Sequence, residues 1–234
     1  MNTSNENYTY QYPHPAVATD CVIFGYDGNR LQVLLVERGI EPFKGSWALP
    51  GGFVRENETA EDGARRELFE ETGVSHAYIK QLKTYSAVER DPRERVISIA
   101  FFALVKSCEV KGGDDASQAR WFNIDEVPQL AFDHQAILQD AIEALRREIH
   151  FEPVGFELLP ERFTIRELQN LYEQVLKVEF DRRNFFNKIR RLGILNRLKE
   201  TTRPTPKKDA YLFEFNQKAY NEFKAKHNGF RMEF

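Results

Sequence analysis

Three glutamates, Glu67, Glu70 and Glu71, stand at i, i+3 and i+4 of one segment. On a helix this spacing spreads their carboxylates over only about 100°, so all three share a face. Carboxylates so close repel one another, and a hard divalent cation such as Mg²⁺ or Mn²⁺, which takes oxygen ligands, relieves the repulsion. Gly51 and Gly52 precede the segment and let the backbone come close to a ligand, so the Gly51 carbonyl is a further candidate oxygen. Arg66, four residues before Glu70, is placed to hold one carboxylate. The three glutamates alone are also compatible with a solvated helix carrying Glu61–Arg65 and Asp62–Arg66 pairs.

The surrounding pattern supplies the elements that would position this face. Thr59 reads as an N-cap and Gly73 as a stop, which predicts a helix over 58–72. Upstream, 16–24 and 31–36 read as strands joined by the Asp27-Gly28 turn, a hairpin. Downstream, 78–88 and 96–106 read as strands, followed by a short strand over 119–123 and a helix over 134–149. Strands and helices in this mixed order predict an α/β (α+β) sandwich.

The whole string fits one fixed pattern: Gly, five residues, Glu, seven residues, then Arg-Glu-apolar-x-Glu-Glu-x-Gly-apolar. Gly52, Glu58, Arg66, Glu67, Leu68, Glu70, Glu71, Gly73 and Val74 fill every specified position. This is the Nudix box, and with the preceding Trp47-Ala48-Leu49-Pro50-Gly51-Gly52 the sequence resembles a Nudix hydrolase. The resemblance implies an α/β/α sandwich. It also implies Mg²⁺ or Mn²⁺ on Glu67, Glu70 and Glu71 with the Gly51 carbonyl, Arg66 as an orienting residue, and hydrolysis of a nucleoside diphosphate derivative by water attack on phosphorus. Glu70, Glu71 and Arg66 are the candidate catalytic residues.

Nearby segments narrow the substrate. Arg90, Arg93 and Arg95 lie in the charged stretch 89–96, which is either a phosphate clamp or a solvated loop. The stretch resembles that of Nudix proteins acting on ADP-ribose, as does 130–134; with Trp47, the three arginines are the candidate substrate-binding set. His134 reads as a helix-start residue capped by Asp133. One departure concerns the base. Gln118 stands where many relatives place a Glu before Ala-Arg-Trp, and an amide accepts no proton. Asp114, Asp115 and Glu89 are the substitutes that the sequence offers.

The chain changes character after 151–160, where Pro153, Gly155 and Pro160 read as a linker. Residues 1–159 carry a net charge of −10 and residues 160–234 a net of +7. The expected division is therefore 1–152, a linker over 153–160, and 161–234. In the last part, 163–176 reads as a helix capped by Thr164 with Glu167 three residues on, and 181–192 as a second helix. Phe185, Ile189 and Leu192 make an apolar stripe, while Arg183, Asn187 and Arg190 share the opposite face with Arg191 at its edge. An Arg/Asn face suits the major groove of double-stranded DNA, although a basic helix face is also an ordinary solvated one. A basic loop over 199–208, a strand over 211–215 and a short terminal helix complete the outline of a winged helix.

The order of these residues resembles the winged helix of Nudix-related transcriptional regulators of NAD metabolism and sugar use. That likeness implies a ligand-sensing Nudix domain, a homodimer on paired half-sites, and DNA contacts from Arg182, Arg183, Asn187, Arg190, Arg191, Arg203, Lys207 and Lys208. No apolar stretch approaches the roughly 20 residues that span a bilayer, and residues 1–13 lack the plan of a secretory signal. Cys21 and Cys108, each in an apolar run, fit reduced core positions of a cytoplasmic protein. The joint reading is a Mg²⁺- or Mn²⁺-dependent pyrophosphohydrolase of an ADP-ribose-like nucleotide fused to a DNA reader. The alternatives are a non-catalytic sensor-regulator and an enzyme whose C-terminal part only dimerises.

Overall fold

The computed structural model describes residues 11–106, 116–205, 208–227 and 232. Strands β1 (Ala16–Tyr26) and β2 (Leu31–Arg38) form the expected hairpin. The Asp27 carboxylate accepts the amides of Asn29 and Arg30, and Gly28 takes the left-handed φ of 94° that the turn requires. Two short strands that the residue pattern did not reveal follow, β3 (Trp47–Ala48) and β4 (Gly51–Phe53). Helix α1 (Ala60–Thr72) begins with a capping box, Thr59 with Asp62, and ends at Gly73 with φ 72°. Then come β5 (Tyr78–Tyr85), β6 (Val96–Leu104), β7 (Ala116–Asn123) and helix α2 (His134–Phe151).

The strands form one mixed sheet in the order β3-β2-β1-β6-β5, with β4 on β1 and β7 on β2. Strand β1 sits centrally and alternates between the two faces. Cys21 and Ile23 pack with Ala64 and Leu68 of α1. Val22 and Phe24 pack on the other side with Ile137, Leu138, Ala141 and Leu145 of α2. This is an α/β/α sandwich.

The proline-containing stretch 153–160 packs onto the core along part of its length, with Glu157 and Pro160 exposed. It forms a 3₁₀ turn (Val154–Glu157), and Val154, Leu158 and Leu159 are buried in the same apolar cluster as α2. Beyond it lie β8 (Phe163–Thr164), α3 (Ile165–Leu176), α4 (Arg182–Leu192), β9 (Leu195–Thr205), β10 (Lys208–Phe215) and α5 (Gln217–Lys226). Helix α3 opens with the expected Thr164–Glu167 capping box, and β8-β10-β9 make a three-stranded sheet. Much of the basic stretch expected as a loop is strand, because β9 continues to Thr205 and β10 begins at Lys208. Leu168, Leu171, Tyr172, Val175, Phe185 and Ile189 belong to the cluster that also holds Phe24 and Leu145, so one core runs through both parts of the chain. Among the described residues no helix is long and apolar enough to cross a membrane.

Candidate functional site

A cleft of about 480 Å³ opens where the β4 glycines meet α1. Glu67, Glu70, Glu71, Gly51 and Arg66 all line it, so the fold brings the acidic face and the glycine loop together. Close packing demands Gly51, where a Cβ would lie 2.2 Å from the Thr19 carbonyl oxygen; a Cβ on Gly52 would lie 2.4 Å from Glu67 Oε1 and displace that carboxylate.

Arg66 organises the carboxylates. Its Nε and Nη2 engage Glu58 at 3.1 and 2.9 Å, and its Nη1 reaches Glu67 at 2.6 Å and Glu70 at 3.4 Å. Its bond to Arg66 is the main cause that holds the Glu58 carboxyl down to about 2. Burial pushes the Glu67 carboxyl up, against the pull of Arg66. Glu71 is buried, whereas 42% of the Glu70 side chain faces solvent. Arg66 therefore touches glutamates on three sides and positions them. Among the described residues no three His, Cys, Asp or Glu side chains close into a metal cage. Glu58, Glu67 and Glu70 gather around the guanidinium in this conformation.

The arginines of 89–96 have three different fates. Arg90 is buried, with its side chain 4% exposed, and forms ion pairs with Asp133 at 2.7 Å and Asp20 at 3.1 Å. It touches the cleft as part of a paired network, not as a free phosphate clamp. Arg93 does face the cleft: Asp91 grips it through Nε and Nη2, and its guanidinium lies over the Phe53 and Phe132 rings. Arg95 is not among the lining residues and instead donates to the Ala87 carbonyl at 3.0 Å, tying the loop to itself. Trp47 likewise does not line the cleft. It packs edge-on against Phe122, centroids 4.7 Å apart, and its neighbours Ala48 and Leu49 line the cleft.

Several lining residues escaped the residue pattern. Asp20 is buried mid-strand, where burial raises its carboxyl but the His134 ring, the Ser98 hydroxyl and Arg90 outweigh this and hold it near about 2. A lone carboxylate inside the apolar run of β1 was the available signal. His134 is buried too. Its Nδ1 accepts the Leu49 amide at 2.9 Å, leaving the ring proton on Nε2, which faces Asp20 at 3.4 Å. Asp133 occupies the N-cap of α2 but makes no capping bond with its side chain, because its carboxylate is engaged by Arg90. Phe132 lines the cleft and meets the Phe43 ring behind it edge-on at 4.8 Å, the two residues adopting positive φ of 53° and 64°. Arg38 stacks 4.8 Å over Phe132. Left-handed phenylalanines are strained, and nothing in their spacing announces them.

Gln118 donates to the carboxylate of Glu37, which lines the cleft. Glu89 is exposed and is not a lining residue. Asp114, Asp115 and Cys108 lie outside the described residues, as does Lys207.

On α4 the stripe and face separate as the spacing predicts. Phe185 and Ile189 are buried, Arg182, Arg183, Arg190 and Arg191 are exposed, and Asn187 is half-buried. Asp181 caps the helix through the Asn184 amide, and Gly193 ends it. Arg203 and Lys208 belong to β9 and β10, the hairpin beside this helix, but their side chains lie outside the described set. On the same hairpin the Arg197 guanidinium stacks 3.5 Å over the exposed ring of Tyr211, a pair that the sequence pattern missed.

Comparison with known proteins agrees with both halves. Residues 14–145 match the NUDIX domain model, and residues 155–215 match the NrtR DNA-binding winged helix domain model. The chain is 31% identical to an ADPR responsive transcriptional repressor NtrR of Acinetobacter baylyi, over 90% of this chain and 86% of that one. It is 46% identical to an ADP-ribose pyrophosphatase of Methanocaldococcus jannaschii, over 55% of this chain and 74% of that one. The crystal structure of Shewanella oneidensis NrtR complexed with a 27mer DNA superposes with a TM-score of 0.76 at 30% identity, covering 88% of this chain and 95% of that one.

Proposed function

This chain belongs to the Nudix family and carries an NrtR-type winged helix behind its Nudix domain, and from that premise we propose a DNA-binding transcriptional regulator whose Nudix cleft takes ADP-ribose and hydrolyses it with Mg²⁺ or Mn²⁺. We divide it as 1–152 and 161–234, with 153–160 as a packed junction, and read it as a cytoplasmic homodimer.

One observation carries the reading: the acidic face and the glycine loop share a single cleft with Arg93 and the aromatic mouth. An oxygen-only donor set suits a hard dication, so Glu67, Glu70, Glu71 and the Gly51 carbonyl would hold it, with Arg66 releasing Glu67 and Glu70. Bound there, the ion would neutralise charge on the diphosphate and acidify the attacking water. Arg93, kept in place by Asp91, is the residue that meets phosphate oxygens. The Phe53 and Phe132 rings offer apolar surface to the base or ribose. As ligands of the ion, Glu70 and Glu71 would carry the catalytic role, Glu70 being the most exposed of the trio. Arg183, Asn187 and Arg190 read base edges, with Arg182, Arg191, Arg203, Lys207 and Lys208 meeting the backbone. Sensing without turnover is favoured by one feature, the Gln118 amide where a proton acceptor is common among relatives.

Two assays test this. Calorimetric titration with ADP-ribose should show saturable binding, and incubation with Mg²⁺ should release AMP and a sugar phosphate. Binding without AMP leaves the sensor alone, and no binding removes the proposal.

A further inference from the structure

Helix α2 touches the nucleotide cleft at one end and the winged helix at the other. At its N-terminus Asp133 binds Arg90 through Nε at 3.0 Å and Nη2 at 2.7 Å, and His134 forms part of the cleft wall. Along its length Asp140 takes the hydroxyl of Tyr85 and Glu148 takes that of Tyr78, which fastens the helix to β5. Near its C-terminus Arg146 donates to the Val175 carbonyl at the end of α3 at 3.0 Å. The His150 carbonyl accepts the Met232 amide and the His150 ring Nδ1 meets the Met232 carbonyl, and Glu152 just beyond the helix binds Tyr220 and Lys224 of α5. The helix has 18 residues and so spans about 27 Å.

We propose that the Arg90–Asp133 ion pair, with α2 behind it, carries the occupancy of the cleft to the winged helix. This rests on the ligand-responsive reading above and adds the element that transmits the response. The physical cause is competition for one guanidinium. Arg90 lines the cleft while Asp20 and Asp133 hold it, so a diphosphate entering the cleft is a third anion acting on the same cation. A ligand shifts a conformational equilibrium only through such a differential interaction. Weakening the Asp133 contact removes one of the ties on the first turn of α2, where Asp133 makes no side-chain capping bond and the His134 ring, on the Leu49 amide and Asp20, is the other link to the cleft wall. A hydrogen-bonded helix anchored at both ends passes that displacement on as a rigid body, into α3 through Arg146 and into α5 through Glu152.

The test uses the full-length protein and a duplex that the protein itself selects from a random pool, in EDTA so that ADP-ribose is not consumed. Duplex affinity is measured without ADP-ribose and at saturation for wild type, Asp133→Asn and Arg146→Gln. Asp133→Asn keeps size while discharging the pair, and Arg146→Gln lies outside both sites. In wild type the ligand should shift affinity by about 5- to 150-fold, the usual span of coupling between two sites, and in each variant by less than about twofold, Asp133→Asn because it already shows the ligand-shifted affinity without ADP-ribose and Arg146→Gln because it keeps the ligand-free affinity of wild type. A full shift in either folded variant overturns the inference while leaving the ligand-responsive reading intact. No shift in wild type overturns both. Should Asp133→Asn fail to fold, Arg146→Gln decides by itself.

Discussion

Arginine does opposite work in the two halves of this molecule. In the cleft, Arg90 is buried between Asp20 and Asp133 and Arg66 is shared by Glu58, Glu67 and Glu70. On α4, Arg183 and Arg190 stand in solvent. A buried charge must be compensated where it lies, so the cleft arginines are fixed by the fold and set the positions of their partners. An exposed arginine is already solvated and keeps its forked donors for another polyanion. The same residue type is thus architecture on one side and contact surface on the other. A shared apolar core joins the two sides.

The largest effect should come from attacking that shared core. Phe185 is 1% exposed and packs against Tyr172 and Phe180. Phe185→Ala should lower stability by about 3–5 kcal/mol. Because the core is continuous, calorimetry should show one transition moved down as a whole. A second, unmoved transition from the Nudix part would show that the halves melt independently.

Next in size, Glu70→Gln should cut AMP release by roughly a hundredfold, near 2.7 kcal/mol, and leave duplex affinity untouched. An unchanged rate would remove Glu70 from the chemistry. Arg183→Ala is the converse probe. Loss of one base-reading contact should weaken the selected duplex by about 1–3 kcal/mol, with ADP-ribose binding unaltered. If weak non-specific duplexes lose as much, Arg183 meets phosphate instead of bases.

The smallest effect concerns the seam between the halves. Burial raises the Glu152 carboxyl, but Lys224 and Tyr220 outweigh it and the net shift is downward. A carboxyl lowered by folding stabilises the native state above the ordinary carboxylate range and loses that contribution as pH falls through it. Glu152→Gln should therefore lower the melting temperature at about pH 7, and by less at a pH below the ordinary carboxylate range, where the lowered wild-type carboxyl takes up its proton. With Glu152 one-third exposed and Lys224 more so, the effect stays under about 1 kcal/mol. Equal differences at both pH values would mean that shape, not charge, holds α5.

What could be read from residues alone follows the range of the forces involved. Local rules placed α1 through Thr59 and Gly73, α3 through Thr164 and Glu167, and the acidic face through its spacing. The short strands β3 and β4 carry too few residues for a period to show, and they exist because β1 and β2 offer partners. The stretch 153–160 looked like a linker because prolines and glycine mark loops, whereas Val154, Leu158 and Leu159 reach the common core. Arg90 looked like a free clamp because its carboxylate partners lie 70 and 43 residues away. Phe132 and Arg38 reach the cleft mouth only through tertiary packing.

The most direct test of the whole account is the anisotropy of a labelled, protein-selected duplex titrated with the wild-type chain, first alone and then with saturating ADP-ribose. The account predicts that the nucleotide displaces the binding curve. Superimposable curves, in a protein shown by calorimetry to have its cleft filled, would contradict it.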